Sequence, residues 1–170
     1  MAPARLCARH TVSACLTAAV TDVRTRPAGP DDALVVAGLT LQCALHRGGT
    51  PEPGFLDRFA RAWSAQVRIR PAWIAEVGDQ HAGYLQAAVV PALPWPGRSD
   101  AAGVLLVDTF FVRPTHRGLS VGEFLLRAAV DWSRAQGLTE VRMTAGKFTR
   151  PMVERVGFVA HDAAHHLELS

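Results

Sequence analysis

A chain of 170 residues with 49% hydrophobic and 19% charged residues is too apolar to be disordered and long enough to bury a core without a metal or disulfide. Its formal net charge of +3 sits in residues 1–30, where Arg5, Arg9, Arg24 and Arg26 face only Asp22; the remainder is balanced, so no nucleic-acid partner is expected. Apolar runs stay far short of the ~20 residues a membrane span needs, so no membrane partner is expected either.

Residues 1–19 carry arginines and then a mildly apolar stretch that Thr11, Ser13 and Thr17 interrupt, with no clean small-residue cleavage site. They read as a disordered extension, or as residues ahead of a true start at Val20 or Val23, leaving one domain over 20–170. Residues 20–26 alternate as a first strand, ended by Pro27, Gly29 and Pro30. Asp31 or Asp32 can cap a helix over 32–46, whose apolar face is expected at Leu34, Ala37, Leu41 and Leu45. A loop over 46–54 leads to a second helix at 55–63, apolar at Phe55, Phe59 and Trp63. The period then changes: 73–77, a polar turn at 78–81, and 82–90 read as a hairpin. The proline-rich stretch 91–103 is a loop. The near-continuous apolar run 104–112 predicts a central strand buried on both faces, with Asp108 its one charge. A loop opens into a helix at 120–136 that stops at Gly137. A strand at 140–146, a short helix at 149–157 and a terminal strand pair, FVAH and HHLEL, complete the chain.

The junction at 112–122 carries the first chemistry. A helix N-terminus exposes unpaired N–H groups and a positive dipole end, and successive amides can hold a phosphate without any base. Gly118 and Gly122 let the backbone approach a bulky anion, and Arg117 adds charge. An ordinary strand-to-helix loop is the plainer alternative. The cysteines, Cys7, Cys15 and Cys43, are odd in number and lack C-x-x-C spacing, so neither a zinc site nor a disulfide framework is indicated and a cytoplasmic setting is expected.

The run VDTFFVRPTHRGLSVGEFLL resembles the acetyl-CoA-binding motif of the GNAT superfamily of N-acetyltransferases. Val112-Arg113-Pro114 stands where the family has V-x-P. Residues 117–122 stand where it has Q/R-x-x-G-x-G/A, with Ser120 at a position usually held by Gly. The hairpin at 73–90 and Val156-Gly157-Phe158 are similar to the family's second and third strands and late G-F turn. The resemblance implies an α/β (α+β) fold with a mixed, mostly antiparallel sheet and helices on both faces, in the order β-α-α-β-β-β-α-β-α-β-β. It implies acetyl-CoA as co-substrate and no metal. The pyrophosphate would sit on the amides of Arg117, Gly118, Leu119, Ser120, Val121 and Gly122. The pantetheine arm would pair with Phe110, Phe111 and Val112, and an N–H near Val112 would polarise the thioester. Ser120 is expected in a helical conformation, its hydroxyl donating to phosphate.

A charge inside an apolar strand is costly unless paired or used. Alternation puts Asp108 on the face of Phe110 and Val112, and VDTFFV is similar to the matching segment of diamine acetyltransferases, whose acid lies by the substrate amine. An ammonium of pKa near 10 must lose a proton before it attacks, which a nearby carboxylate can accept. A structural ion pair with an arginine is the alternative. Many family members carry a Tyr that protonates the departing thiolate, at the position of Val153 here, and an Asn at that of Gly146. The one tyrosine, Tyr84, lies elsewhere. Lys147 and Arg150 stand near the expected CoA path, whereas Trp95, Glu52 and Asp57 stand near the acceptor mouth. His161, His165 and His166 lack metal-site spacing. The expected activity is direct acetyl transfer to a primary amine, on a small molecule or on a protein N-terminus or lysine, by a protein that can form homodimers. The alternative is an acyl-CoA-binding sensor that turns over poorly or not at all.

Overall fold

The computed structural model describes residues 22–94, 96–97 and 103–161. Their elements are β1 (Val23–Pro27), α1 (Ala33–His46), α2 (Phe55–Ser64), β2 (Ala72–Val77), β3 (Gln80–Val90), β4 (Val104–Val112), α3 (Val121–Ala135), β5 (Glu140–Met143) and α4 (Arg150–Val156). Short 3-10 turns precede α1 and follow β4. The strands form one sheet in chain order, β1-β2-β3-β4-β5. The first three pairings are antiparallel and β4–β5 is parallel, because α3 carries the chain back across the sheet.

Period-two alternation divides the apolar side chains between two layers. Ala72, Ile74, Tyr84 and Phe111 face α1 and α2, where Val36, Leu39, Cys43 and Trp63 cover them. Trp73, Ala75, Leu85 and Leu105 face α3 and α4, where Leu125, Leu126, Ala129 and Val153 meet them. Trp73 packs edge-on against Trp132 of α3 at 5.5 Å. Helices on both faces of a mostly antiparallel sheet are thus as expected.

Four expectations change. β4, expected to be buried on both faces, is covered on the α3 side but leaves Leu106 and Asp108 exposed on the other. The buried stripe of α1 is Ala33, Val36, Ala37, Leu39 and Cys43; of the expected face Ala37 is buried and Leu41 half-buried, whereas Leu34 and Leu45 are 59% and 40% exposed. That helix is apolar nearly all round, so periodicity alone does not select its inner face. Residues 158–161, expected as a strand, are irregular, with Val159 88% exposed, and no described strand pairs with them; HHLEL lies outside the described residues. β5 ends at Met143 rather than running to residue 146.

That early end shapes the molecule. β5 pairs with Val104–Val107 only, while β4 continues to Val112, so the two strands part beyond residue 107. β4 also bulges there. Gln86 faces Thr109 and Ala87 faces Val107, which leaves Asp108 as an extra residue. The bulge reverses the alternation. Leu105 and Val107 point to the α3 layer before it, Phe110 and Val112 after it. Among the described residues no helix is long and apolar enough to cross a membrane.

Candidate active site

The gap between β4 and β5 opens into two adjoining cavities. The larger, about 770 Å³, is lined by Phe110, Phe111, Val112, Arg117, Gly118, Ser120, Val121 and Gly122, with His46, Met152 and Arg155 among the rest. The smaller, about 300 Å³, is lined by Asp108, Phe110, Arg47, Met143, Gly146 and Lys147, among others. Arg47, Phe110, Thr149 and Phe148, the last 95% exposed, lie on both. Of the site residues expected from sequence, Leu119 alone lines neither; it packs into the α3 layer.

The floor of the larger cavity is main chain. From Gly118 to Glu123 no N–H finds a hydrogen-bond partner among the described residues; the first bonded amide beyond is that of Phe124, to Ser120 O. Such a run of free donors at the start of a fifteen-residue helix is an anion cradle. Two left-handed residues shape it, Gly118 at φ 83° and Ser120 at φ 59°. Ser120 is therefore not helical, contrary to expectation. The path of the chain into α3 needs a left-handed residue there, and that requirement overrides the residue's preference at a cost of about 1–2 kcal/mol. Gly122 serves packing as much as anion approach: a Cβ there would lie 2.8 Å from both Phe110 Cζ and Met152 Sδ.

The wall is the free edge of β4. The Arg113 N–H donates to Ala82 O of β3 at 2.9 Å, so by alternation the N–H and C=O of Val112 and Phe110 point away from β3, into the gap. Arg117 reaches back to this edge. Its Nε approaches Val112 O at 3.4 Å and its Nη2 donates to His46 Nε2 at 2.7 Å. His46 stacks at a tilt on Phe111, 5.9 Å between ring centres. His46 and Arg47, from the end of α1, carried no local signal in the sequence; long-range packing alone brings them here.

Asp108 is exposed, and its Oδ2 accepts a hydrogen bond from Arg70, in the loop after α2. Its Oδ1 has no partner among the described residues. Asp108 and Phe110 share the smaller cavity, but the bulge breaks the simple alternation that would have put them and Val112 on one face. Val153 is buried in the α3 layer and lines neither cavity. Tyr84 is fully buried between sheet and α1, its hydroxyl has no hydrogen-bond partner of good geometry among the described residues, and burial pushes it up to about 12. It is no proton donor to the cleft.

Lys147 lines the smaller cavity and Arg150 neither. Glu52 pairs with Arg58 at 2.7 Å, away from both cavities, as is Asp57. Trp95, His165 and His166 lie outside the described residues, and among those described no group of His, Cys, Asp or Glu has the arrangement of a metal site.

This arrangement matches solved structures along nearly the whole chain. A predicted acetyltransferase from Clostridium acetobutylicum, solved with acetyl-CoA, superposes with a TM-score of 0.71 at 18% identity, over 86% of this chain and 96% of that one. A ribosomal-protein-alanine N-acetyltransferase from Brucella melitensis biovar Abortus 2308 gives 0.66 at 20% identity, over 88% and 100%. An aminoglycoside acetyltransferase from an uncultured soil metagenomic sample, solved with sisomicin, gives 0.69 at 11% identity, over 87% and 95%. At these identities the likeness is one of fold. No curated protein matches the chain by sequence. The profile of the acetyltransferase (GNAT) family matches residues 41–158, more than half of the chain, and the protein belongs to that family.

Proposed function

We propose that the protein transfers the acetyl group of acetyl-CoA to a primary amine by direct attack. The observation that carries this reading is the run of unbonded amides from Gly118 to Glu123 beside the unpaired edge of β4. The amides suit a pyrophosphate, with Arg117 supplying charge. The free edge suits an amide-containing arm, which it can bond as a strand would. A thioester carbonyl near Val112 or Phe110 would meet a main-chain N–H as negative charge develops on its oxygen.

The acceptor amine would approach through the smaller cavity. Asp108 Oδ1 takes a proton from the ammonium, directly or through a water. The nitrogen lone pair then attacks the carbonyl carbon, the C–S bond breaks, and its electron pair leaves on sulfur. The nitrogen, positively charged once bonded to carbon, gives up its second proton to a water as the adduct collapses to the amide, and that water passes the proton on to the sulfur to restore the thiol, since Val153 and Tyr84 do not reach the cleft. That same lack of a tyrosine is what favours the second reading, a sensor that binds an acyl-CoA without turnover.

Two measurements test the proposal. Acetyl-CoA at a hundred times its Kd should stabilise the fold by about 2.7 kcal/mol, a rise of roughly 5–10 °C in Tm. Thiol release with a panel of amines should then show turnover, and Asp108→Asn should cut kcat by at least tenfold with the KM for acetyl-CoA unchanged. Stabilisation without thiol release on any amine would replace transfer with the sensor; an unaffected Asp108→Asn would remove the carboxylate from the chemistry.

A further inference from the structure

The smaller cavity holds more positive charge than a site for a cationic amine needs. Its one carboxylate, Asp108, is already matched by Arg70. Arg47 and Lys147 also line it, from different elements: Arg47 follows the end of α1, and Lys147 lies in the turn between β5 and α4. Neither has a carboxylate or any other side-chain partner among the described residues. Several other arginines are paired, Arg26 with Asp32 and Glu76, Arg58 with Glu52, Arg127 and Arg155 with Glu123; among the described residues Arg61, Arg68 and Arg150 have no ion pair either, but of the unpaired cations only Arg47 and Lys147 line this cavity. The larger cavity has its own donors for the phosphates, in the amides of 118–123 and in Arg117 and Arg155; Arg47 stands where the two cavities meet and lines both, whereas Lys147 lines the smaller alone. The smaller cavity's other walls are apolar or hydroxylic, Val107, Phe110, Met143, Thr144 and Thr149, and its volume of about 300 Å³ is at the small end for ligand sites.

On the acetyl-transfer reading above, we propose that the acceptor is a small amino acid: an amine to be acetylated, facing Asp108, and a carboxylate held by Arg47 and Lys147. A diamine or an aminoglycoside brings a second positive charge to two cations already without counter-charge, and it is disfavoured by repulsion as well as by size. A carboxylate gains charge-assisted hydrogen bonds from both, and the guanidinium of Arg47 can grip it in a fork.

Thiol release from acetyl-CoA is to be followed with matched acceptors: α- and ω-amino acids, their carboxamides, and α,ω-diamines of the same length. The wild type should favour amino acids at least tenfold in kcat/KM over both other sets. The double variant Arg47→Gln, Lys147→Gln should lose that preference, with its KM for acetyl-CoA within about threefold of wild type. Equal or faster acetylation of carboxamides or diamines by the wild type would overturn the amino-acid assignment while leaving acetyl transfer intact. So would a double variant that slows every acceptor alike or raises the KM for acetyl-CoA, because the cations would then serve the donor. Binding of acetyl-CoA with no thiol release on any acceptor would bring down the transfer reading and this assignment together.

Discussion

Ser120 shows how a single side chain can stand against its own preference. It is the one non-glycine with a positive φ among the described residues, and nothing bonds its hydroxyl. Replacing it with glycine removes a left-handed penalty of about 1–2 kcal/mol and adds roughly 0.4–1 kcal/mol of unfolded-state entropy. Ser120→Gly should therefore stabilise the protein by about 0.5–1 kcal/mol in urea melts. A neutral or lower midpoint would mean that the hydroxyl contributes something the folded structure does not reveal. The motif around Ser120 was readable because glycine spacing is local. The backbone angle was not, because it is set by where β4 ends and α3 must begin.

Two glycines separate an element's own preferences from the demands of its neighbours. Gly38 lies inside α1, and a Cβ there would meet nothing within 4 Å. Gly83 lies on β3 opposite Val112, and its Cβ would lie 2.5 Å from Phe111 O, which is backbone and cannot swing aside. Gly38→Ala should thus stabilise by about 0.5–1 kcal/mol through helix propensity. Gly83→Ala should cost about 2 kcal/mol and weaken acetyl-CoA binding, because it moves the end of β4 that forms the cleft wall. Paired denaturant melts and acetyl-CoA titrations of the two variants check this; equal stability changes would refute the close approach. The elements themselves were legible. Strand 104–112 falls where its apolar run predicted, and α3 differs by one residue at each end. The inner face of α1 was not, since nearly every position there is apolar.

The charges show how the molecule holds its first strand and first helix together. Arg26 on β1 donates to both oxygens of Asp32, at 2.7 and 2.8 Å, and to Glu76 on β2 at 3.0 Å. The Arg26 hydrogen bond holds the Asp32 carboxyl below its ordinary 3.8, against the opposing pull of burial and with help from the Gly29 N–H. The unfolded chain takes up this proton near 3.8 and the folded chain only at lower pH. The stability due to Asp32 is complete above that range and is lost as pH falls through the folded value. Wild type should therefore lose more stability than Asp32→Asn as the pH is lowered from about 5 to about 2. Parallel slopes in urea melts across that range would show that the pair contributes nothing.

The order of strands and helices from β1 to α4, the apolar β4 and the glycine-bearing turn after it were all present in the chain as written, because each depends on neighbours a few residues away. The parting of β4 and β5, the bulge that isolates Asp108, its ion pair with Arg70, and the arrival of His46 and Arg47 at the cleft were decided by folding. Each joins residues far apart along the chain, through sheet register and helix packing, and no local period encodes such a meeting.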